Sequence, residues 1–247
     1  MTPLGARAGP GVAVFDLDGT LTRRDLYLAF LALALRRLGP ARPLRAAALP
    51  LLSARFMLRG IDNDRLKIAF LDAILGGRSR AAMEDLATAF AQRAVEREIK
   101  PAALARLERH RRAGDTLLLA SASLDLYVQP IARLLGFHAA VATGIAWTAD
   151  GRIAGTLAGP NLRSEAKLDA VRTWLAARLP DAACRVTAYS DHASDLPLLA
   201  AATIPVAVDP TPSLARIAVT RGWHVEHWLG ARSHDVAQAP CTAESRA

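Results

Sequence analysis

Val12-Ala13-Val14-Phe15-Asp16-Leu17-Asp18-Gly19-Thr20-Leu21-Thr22 is the stretch on which the fold turns. Four apolar residues run straight into two carboxylates spaced i, i+2, then a glycine and a hydroxyl. In extended backbone, residues two apart point to the same side, so Asp16 and Asp18 are expected to converge where a buried strand gives way to a loop. Two unpaired carboxylates cost several kcal/mol each to bury, so a compensating group, a divalent cation above all, is expected beside them. Open α/β sheets place ligand sites at the carboxyl ends of strands, where this pair falls. A strand that simply ends in a polar turn is the competing reading of Asp-x-Asp alone.

Three further pieces follow in order. Thr116-Leu117-Leu118-Leu119-Ala120-Ser121-Ala122-Ser123 is a second apolar run ending in small hydroxyls. Lys167 stands near the start of a helical pattern in Arg163-Ser164-Glu165-Ala166-Lys167-Leu168. Val186-Thr187-Ala188-Tyr189-Ser190-Asp191 is a third strand ending in an acid, with Asp195 four residues on. Together these resemble the haloacid dehalogenase-like (HAD) hydrolase superfamily, over about residues 12–228. The resemblance is to its phosphoserine phosphatase-like branch with a helical cap.

The resemblance implies a role for each residue. Asp16 matches the nucleophile that carries an aspartyl-phosphate, splitting hydrolysis into two easier steps. Asp18 matches the general acid and base, and its backbone carbonyl a metal ligand. Its presence argues for phosphatase chemistry over dehalogenation. Asp191 completes the metal site, for which Mg²⁺ is the expected ion. Asp195 supports the metal and lysine arrangement. Ser121 matches the hydroxyl that bonds the phosphoryl group, and Lys167 the cation that neutralises nucleophile and phosphate. Gly19 lets the backbone approach the phosphate, while Thr20 and Thr22 shape the loop. Taken singly, Ser121 reads as a helix cap, Lys167 as a solvated helix residue and Asp195 as a first-turn acid. Ser190 and His192 depart from the glycine and small residue usual around Asp191; His192 reads equally as a substrate contact or a solvent-facing side chain.

Composition narrows the classes. A chain of 247 residues, 52% hydrophobic and 5% aromatic, can bury a full α/β core with an inserted smaller domain. Cys184 and Cys241 lack the spacing of a disulfide scaffold or metal site. Residues 1–11 lack the apolar core of a signal peptide, so a cytoplasmic location is expected. The apolar stretches 26–35 and 46–54 fall short of the roughly 20 residues that span a bilayer. A net charge of +8 suits phosphorylated substrates, anionic lipid or nucleic acid alike. No recognised nucleic-acid motif is present and aromatics for base stacking are few, so no nucleic-acid partner is expected.

Apolar spacing predicts helices over 26–38, 43–58, 64–75 and 79–99, with no strand-like alternation between them. They form the expected cap, residues 24–99, inserted into a discontinuous catalytic core of residues 11–23 and 100–229. Beyond it the pattern predicts helix 101–113, strand 116–120, helix 124–135 and a hairpin of runs 140–147 and 152–157 about Asp150-Gly151. Helix 164–179, strand 185–189, helix 194–201, strand 204–208 and helix 212–221 complete a β-α alternation. That rhythm predicts a doubly wound parallel sheet. Residues 230–247 show no periodicity and read as a disordered tail.

The substrate is less legible. Asp25 lies where phosphoserine phosphatases carry a glutamate for the substrate amine, and Ser121-Ala122-Ser123 differs from their Ser-Gly-Gly run. Both departures count against phosphoserine. Thr22-Arg23-Arg24-Asp25 and the serine run resemble instead a bacterial subgroup that also resembles phosphatidylglycerophosphate phosphatases. The cap has arginines at 36, 37, 42, 45, 55 and 59 and no acid from 26 to 60. A helix on an anionic membrane surface has this composition, and so does a bundle helix with snorkelling arginines. The expectation is a Mg²⁺-dependent phosphomonoesterase acting on a small metabolite or lipid headgroup phosphate. The alternatives are a lipid phosphatase at the membrane surface and a catalytically silent binding or regulatory module. Oligomeric state is not legible.

Overall fold

All four residues of β1, Val12–Phe15, are buried. A strand without a solvated face needs neighbours on both edges and cover on both sides. The structure, a computed structural model, describes residues 11–58, 60, 62–178 and 185–230. It places β1 inside a six-stranded sheet. The order is β3 (Ala139–Thr143), β2 (Thr116–Leu124), β1, β6 (Val186–Ser190), β7 (Ile204–Val208), β8 (His224–Glu226). Every neighbouring pair is parallel. A separate antiparallel hairpin joins β4 (Ile145–Trp147) to β5 (Ile153–Leu157).

Alternation along β1 sorts two apolar clusters. Val12 and Val14 face one, with Leu118, Ala188, Leu168 and Leu214. That face is covered by α8 (Glu165–Arg178), α9 (Leu196–Ala201) and α10 (Pro212–Arg221). Ala13 and Phe15 face the other, with Leu117, Leu119, Tyr189 and Trp228. There α6 (Pro101–Arg112) lies against the sheet. Phe15 stacks on Tyr189 with ring centroids 4.4 Å apart. His110 on α6 bonds Asp115 (2.7 Å) through Nδ1 and the Tyr189 hydroxyl (2.8 Å) through Nε2. This second cluster continues without interruption into the cap.

The cap is α1 (Tyr27–Leu38), α2 (Pro43–Ala47), α3 (Leu49–Met57), α4 (Asn63–Leu75) and α5 (Arg80–Glu98). Where the spacing predicts one helix over 43–58, the chain makes two, because Pro50 has no N–H for the carbonyl four residues back. The predicted run 140–147 also divides, at Gly144. Its first half takes the open edge of β2 in the main sheet and its second half forms the hairpin. Predicted helix 194–201 begins as a 3₁₀ turn, Ala193–Asp195, before α9. Strand β8 was not expected; at three residues it is too short to show alternation. Both cysteines and the predicted tail from 231 onward lie outside the described residues. Among the described residues no helix is long and apolar enough to cross a membrane.

The hairpin rests on α4 at Gly155, whose φ of +84° is left-handed and whose missing Cβ leaves room for the Asp72 carboxylate. Asp72 in turn holds Arg42 and Arg45. Gly155→Ala should therefore destabilise the protein by about 1–3 kcal/mol, from the backbone conformation and the displaced carboxylate together. Urea unfolding reads this directly; a variant as stable as wild type would show that Asp72 does not depend on the glycine.

Candidate active site

The chain runs from β1 through the cap to β2 and β3 on one side of β1, then crosses to β6, β7 and β8 on the other. The strand order thus reverses at β1, and a crevice opens beyond the carboxyl ends at such a switch point. A cavity of about 530 Å³ occupies it, roofed by the cap. Asp16, Asp18, Gly19, Asp25, Lys167, Asp191 and Asp195 all line it.

The floor is set by a wide turn, Leu17–Leu21, closed by the Thr22 amide donating to the Leu17 carbonyl (3.0 Å). Leu17 and Leu21 are buried in the core, which anchors the turn while Asp16 and Asp18 face the cavity. Both acids have extended backbone, as their spacing suggested (φ −74°, ψ 159° and φ −77°, ψ 121°). Gly19 sits at φ +79°, and a Cβ there would strike the Asp191 carboxylate. Only glycine fits.

Asp16 is held from two sides. Lys167 Nζ donates to Oδ1 (2.8 Å), and the Thr20 hydroxyl lies 3.2 Å from Oδ2. The same hydroxyl is 3.0 Å from Asp191 Oδ1 and accepts the Asp191 amide (3.0 Å). One hydroxyl proton thus serves two carboxylates. Lys167 also donates to Asp195 Oδ2 (2.6 Å), which accepts from Ser190 as well (2.8 Å). Ser190 so replaces a glycine with a side chain that has work in the site. Asp195 Oδ1 is buried without a partner among the described residues. Asp18 accepts from the Leu26 amide (2.7 Å) and the Ser123 hydroxyl (2.5 Å).

Burial raises the pKa of Asp16; Lys167 opposes this, and Asp195, Asp191 and Asp18 add to it. Asp18 is pushed up to about 6 by burial and by Asp25, against its hydrogen bonds from Ser123 and Leu26. Asp191 is raised by burial too. For Lys167, burial acts downward, but Asp16 and Asp195 outweigh it and hold the ammonium charged. The lining carries five carboxylates against Lys67, Lys167 and Arg163. With every carboxyl ionised that is an excess of two negative charges, which one divalent cation would cancel; without a cation, burial and mutual repulsion favour protonation instead. A lining dominated by carboxylate oxygens, an orphaned carboxylate oxygen and this charge fit a hard ion such as Mg²⁺. Among the described residues no three His, Cys, Asp or Glu side chains form a complete ligand set. An ion here therefore needs backbone carbonyl and water as well.

Not every expected residue lies at the surface of the cavity. Ser121 is fully buried beneath it, its hydroxyl accepting the Ser123 amide (3.0 Å), and the hydroxyl that lines the cavity is that of Ser123. The strand continues to Leu124, past the residue where the apolar run stops, and takes both serines into buried positions. His192 lines the cavity but spends Nδ1 on the Ser194 amide (3.0 Å), capping the 3₁₀ turn. Asp25 is exposed at the rim and accepts the Tyr27 amide (2.7 Å). Sequence reasoning missed Lys67, Arg163 and Asn161, and also Lys100. Burial lowers Lys67 to about 8, against the pull of Asp64, Asp18 and Asp25. Lys100 is buried below the turn, donating to the Gly19 carbonyl and to Asp209 (2.9 Å). A lysine inside an amphipathic helix and another before a proline carry no sequence signal that separates them from solvated ones.

A profile of the haloacid dehalogenase-like hydrolases matches residues 13–200. A histidinol-phosphatase of Neisseria meningitidis is 30% identical over 220 residues, 87% of this chain and 97% of that protein. A phosphoserine phosphatase of Mycobacterium tuberculosis is 31% identical over 228 residues, 89% of this chain and 71% of that protein. Among solved structures, a Bordetella pertussis protein of unknown function superposes with a TM-score of 0.77 at 30% identity, covering 88% and 98% of the two chains. A phospho-aspartyl intermediate analogue of phosphoserine phosphatase superposes at 0.58 with 17% identity, over 89% and 93%, and shares the fold. Four strand-end and helix-start motifs converge on one crevice, and relatives match along nearly the whole chain: the protein belongs to the haloacid dehalogenase-like hydrolase family.

Proposed function

We propose that the protein hydrolyses a phosphate monoester of a small, amine-bearing metabolite, in two steps with the phosphoryl group carried on Asp16. The observation that carries this reading is a buried carboxylate gripped by Lys167, with a second carboxyl, Asp18, raised to about 6 and facing the same cavity. In the first step an Asp16 oxygen attacks phosphorus, the ester P–O bond breaks and Asp18 gives its proton to the departing alkoxide. In the second, the Asp18 carboxylate takes a proton from water as that water attacks the phosphorus, releasing phosphate and restoring Asp16. Lys167 stabilises the charge spread over the phosphoryl oxygens. Asp195 and Ser190 hold Lys167 in place, and Ser121 braces the phosphate-facing strand end from below. Mg²⁺, held by the carboxylates of Asp16 and Asp191 and the Asp18 carbonyl, would supply the remaining positive charge.

The leaving-group end of the cavity is lined by Asp25, Tyr27, Leu28, Leu66 and Phe70. An acid at the rim suits an ammonium, and two aromatic residues suit a flat ring. The name of the Neisseria relative points to histidinol phosphate, which has both, as the first compound to test.

A second reading, a lipid headgroup phosphate, draws on the outer face of the cap. Leu44, Leu51 and Leu58 recur every seven residues and are 91%, 67% and 82% exposed. Exposed Arg36, Arg37 and Arg55 accompany them, and a second copy of this face would repel the first. Arg42 and Arg45 do not contribute, being engaged by Asp72.

Phosphate release across histidinol phosphate, phosphoserine, phosphocholine, sugar phosphates and phosphatidylglycerophosphate should be abolished by chelator and highest with histidinol phosphate. Asp16→Asn should lower it by about a thousandfold or more with the fold intact; substantial residual turnover removes Asp16 as nucleophile. Ser123→Ala deletes a hydrogen bond to the charged form of Asp18, so its pKa rises and the carboxyl stays protonated to higher pH. The alkaline limb of kcat/KM should shift upward; an unmoved limb means another group is the acid. For the lipid reading, phosphatidylglycerol vesicles should sediment the protein at low salt and release it at high salt. Failure to bind at low salt overturns that reading alone.

A further inference from the structure

A cation with no part in the two chemical steps stands at the seam between cap and core. Lys67, on α4, is buried, and its ammonium crosses to the core. It donates to the Ala122 carbonyl (2.5 Å) and to Asn161 Oδ1 (2.7 Å). Asn161 returns the contact, its amide nitrogen donating to Asp64 Oδ1 on α4 (2.7 Å). On the cap side the Lys67 ammonium lies 5.4 Å from the centroid of the Tyr27 ring, and the Tyr27 hydroxyl donates to the Lys67 carbonyl (2.9 Å). One side chain from each half is thus bonded across the seam.

The two core partners are placed to matter. Ala122 separates Ser121 from Ser123, whose hydroxyl binds Asp18. Asn161 precedes α8, which delivers Lys167 to Asp16. The oxygens that take the Lys67 protons belong to neutral groups. A buried ammonium needs such partners, yet a carboxylate in their place would hold the two halves far more tightly.

We propose that Lys67 and Asn161 form a reversible latch: closing the cap sets the Ser121–Ser123 strand end and the approach to α8 in the same movement. Lys67 lines the cavity, and in this role it is a positioning residue that acts on Asp18 through the Ala122–Ser123 peptide. This rests on the phosphatase reading for its catalytic consequence, though not for its structural one.

The test uses Lys67→Met, Lys67→Arg, Asn161→Ala and the Lys67→Met/Asn161→Ala pair in the full chain. Two substrates are compared, the best monoester of the panel and p-nitrophenyl phosphate, whose leaving group needs little help from an acid. Each single neutral variant should lose about tenfold in kcat/KM on the monoester, chiefly through kcat, and less than about threefold on p-nitrophenyl phosphate. The double variant should be no worse than the poorer single, since both break one latch. Lys67→Arg, which keeps charge and donors, should recover part of the loss. Hydrogen exchange at residues 121–124 should accelerate in Lys67→Met while α6 stays protected. Equal losses on both substrates, additive losses in the double variant, or a rise in KM with kcat unchanged would each overturn the latch. Should the wild type release phosphate from nothing, the phosphatase reading fails, and the exchange experiment decides the latch by itself: unchanged exchange at 121–124 overturns it.

Discussion

The placement of Asp16 depends on one ammonium. Lys167 lies 2.8 Å from Asp16 and 2.6 Å from Asp195, and all three side chains are almost completely buried. Each carboxylate alone would be costly at that depth, and together they repel. The lysine makes the cluster tolerable, and it does so from a different segment of chain than either acid. The residue that follows β1 is Asp16, the turn after β6 supplies Asp195 and α8 supplies Lys167. The three meet only if the sheet is assembled in its crossed-over order. Fold and site are thus the same constraint expressed at two scales.

The parts of this arrangement that sequence could reveal are those where polarity changes abruptly. Val12 to Asp18 announces a buried strand and its end, and Asp191 does the same for β6. Where the outcome hinged on backbone chemistry, the signal was present but easily overridden: Pro50 divides a helix whose apolar spacing runs straight through it. Gly144 separates two strands that belong to different sheets. Ser121 and Ser123 look equivalent on paper and both are buried, yet only Ser123 lines the cavity, a difference two residues of the same type cannot announce. Lys67, Asn161 and Lys100 were illegible for a physical reason. Their importance lies in partners far away in the chain, and a lone polar residue carries no record of its partner.

The cap's two faces follow different rules. Its inner face is continuous with the core, through Phe30, Phe90 and Tyr127, whose rings pack within 5.3 Å of one another. Its outer helices α2 and α3 bury a single leucine, Leu49, and leave the rest of their apolar side chains partly or wholly exposed. The cap therefore packs its apolar side chains against the core at α1 and α5 and much less at α2 and α3, with Ser53 of α3 joining that less buried side to the cavity.

Lys100 adds a last consequence. It lies under the turn, outside the cavity, and grips the Gly19 carbonyl while Asp209 holds it from behind. The peptide that faces the phosphate in the proposed mechanism is thereby oriented before any anion arrives. Water around a dissolved phosphate must reorient as charge moves during reaction; a backbone clamped from below need not. The floor of this site is consequently a fixed dielectric environment, and whatever adaptation different leaving groups demand falls to the roof.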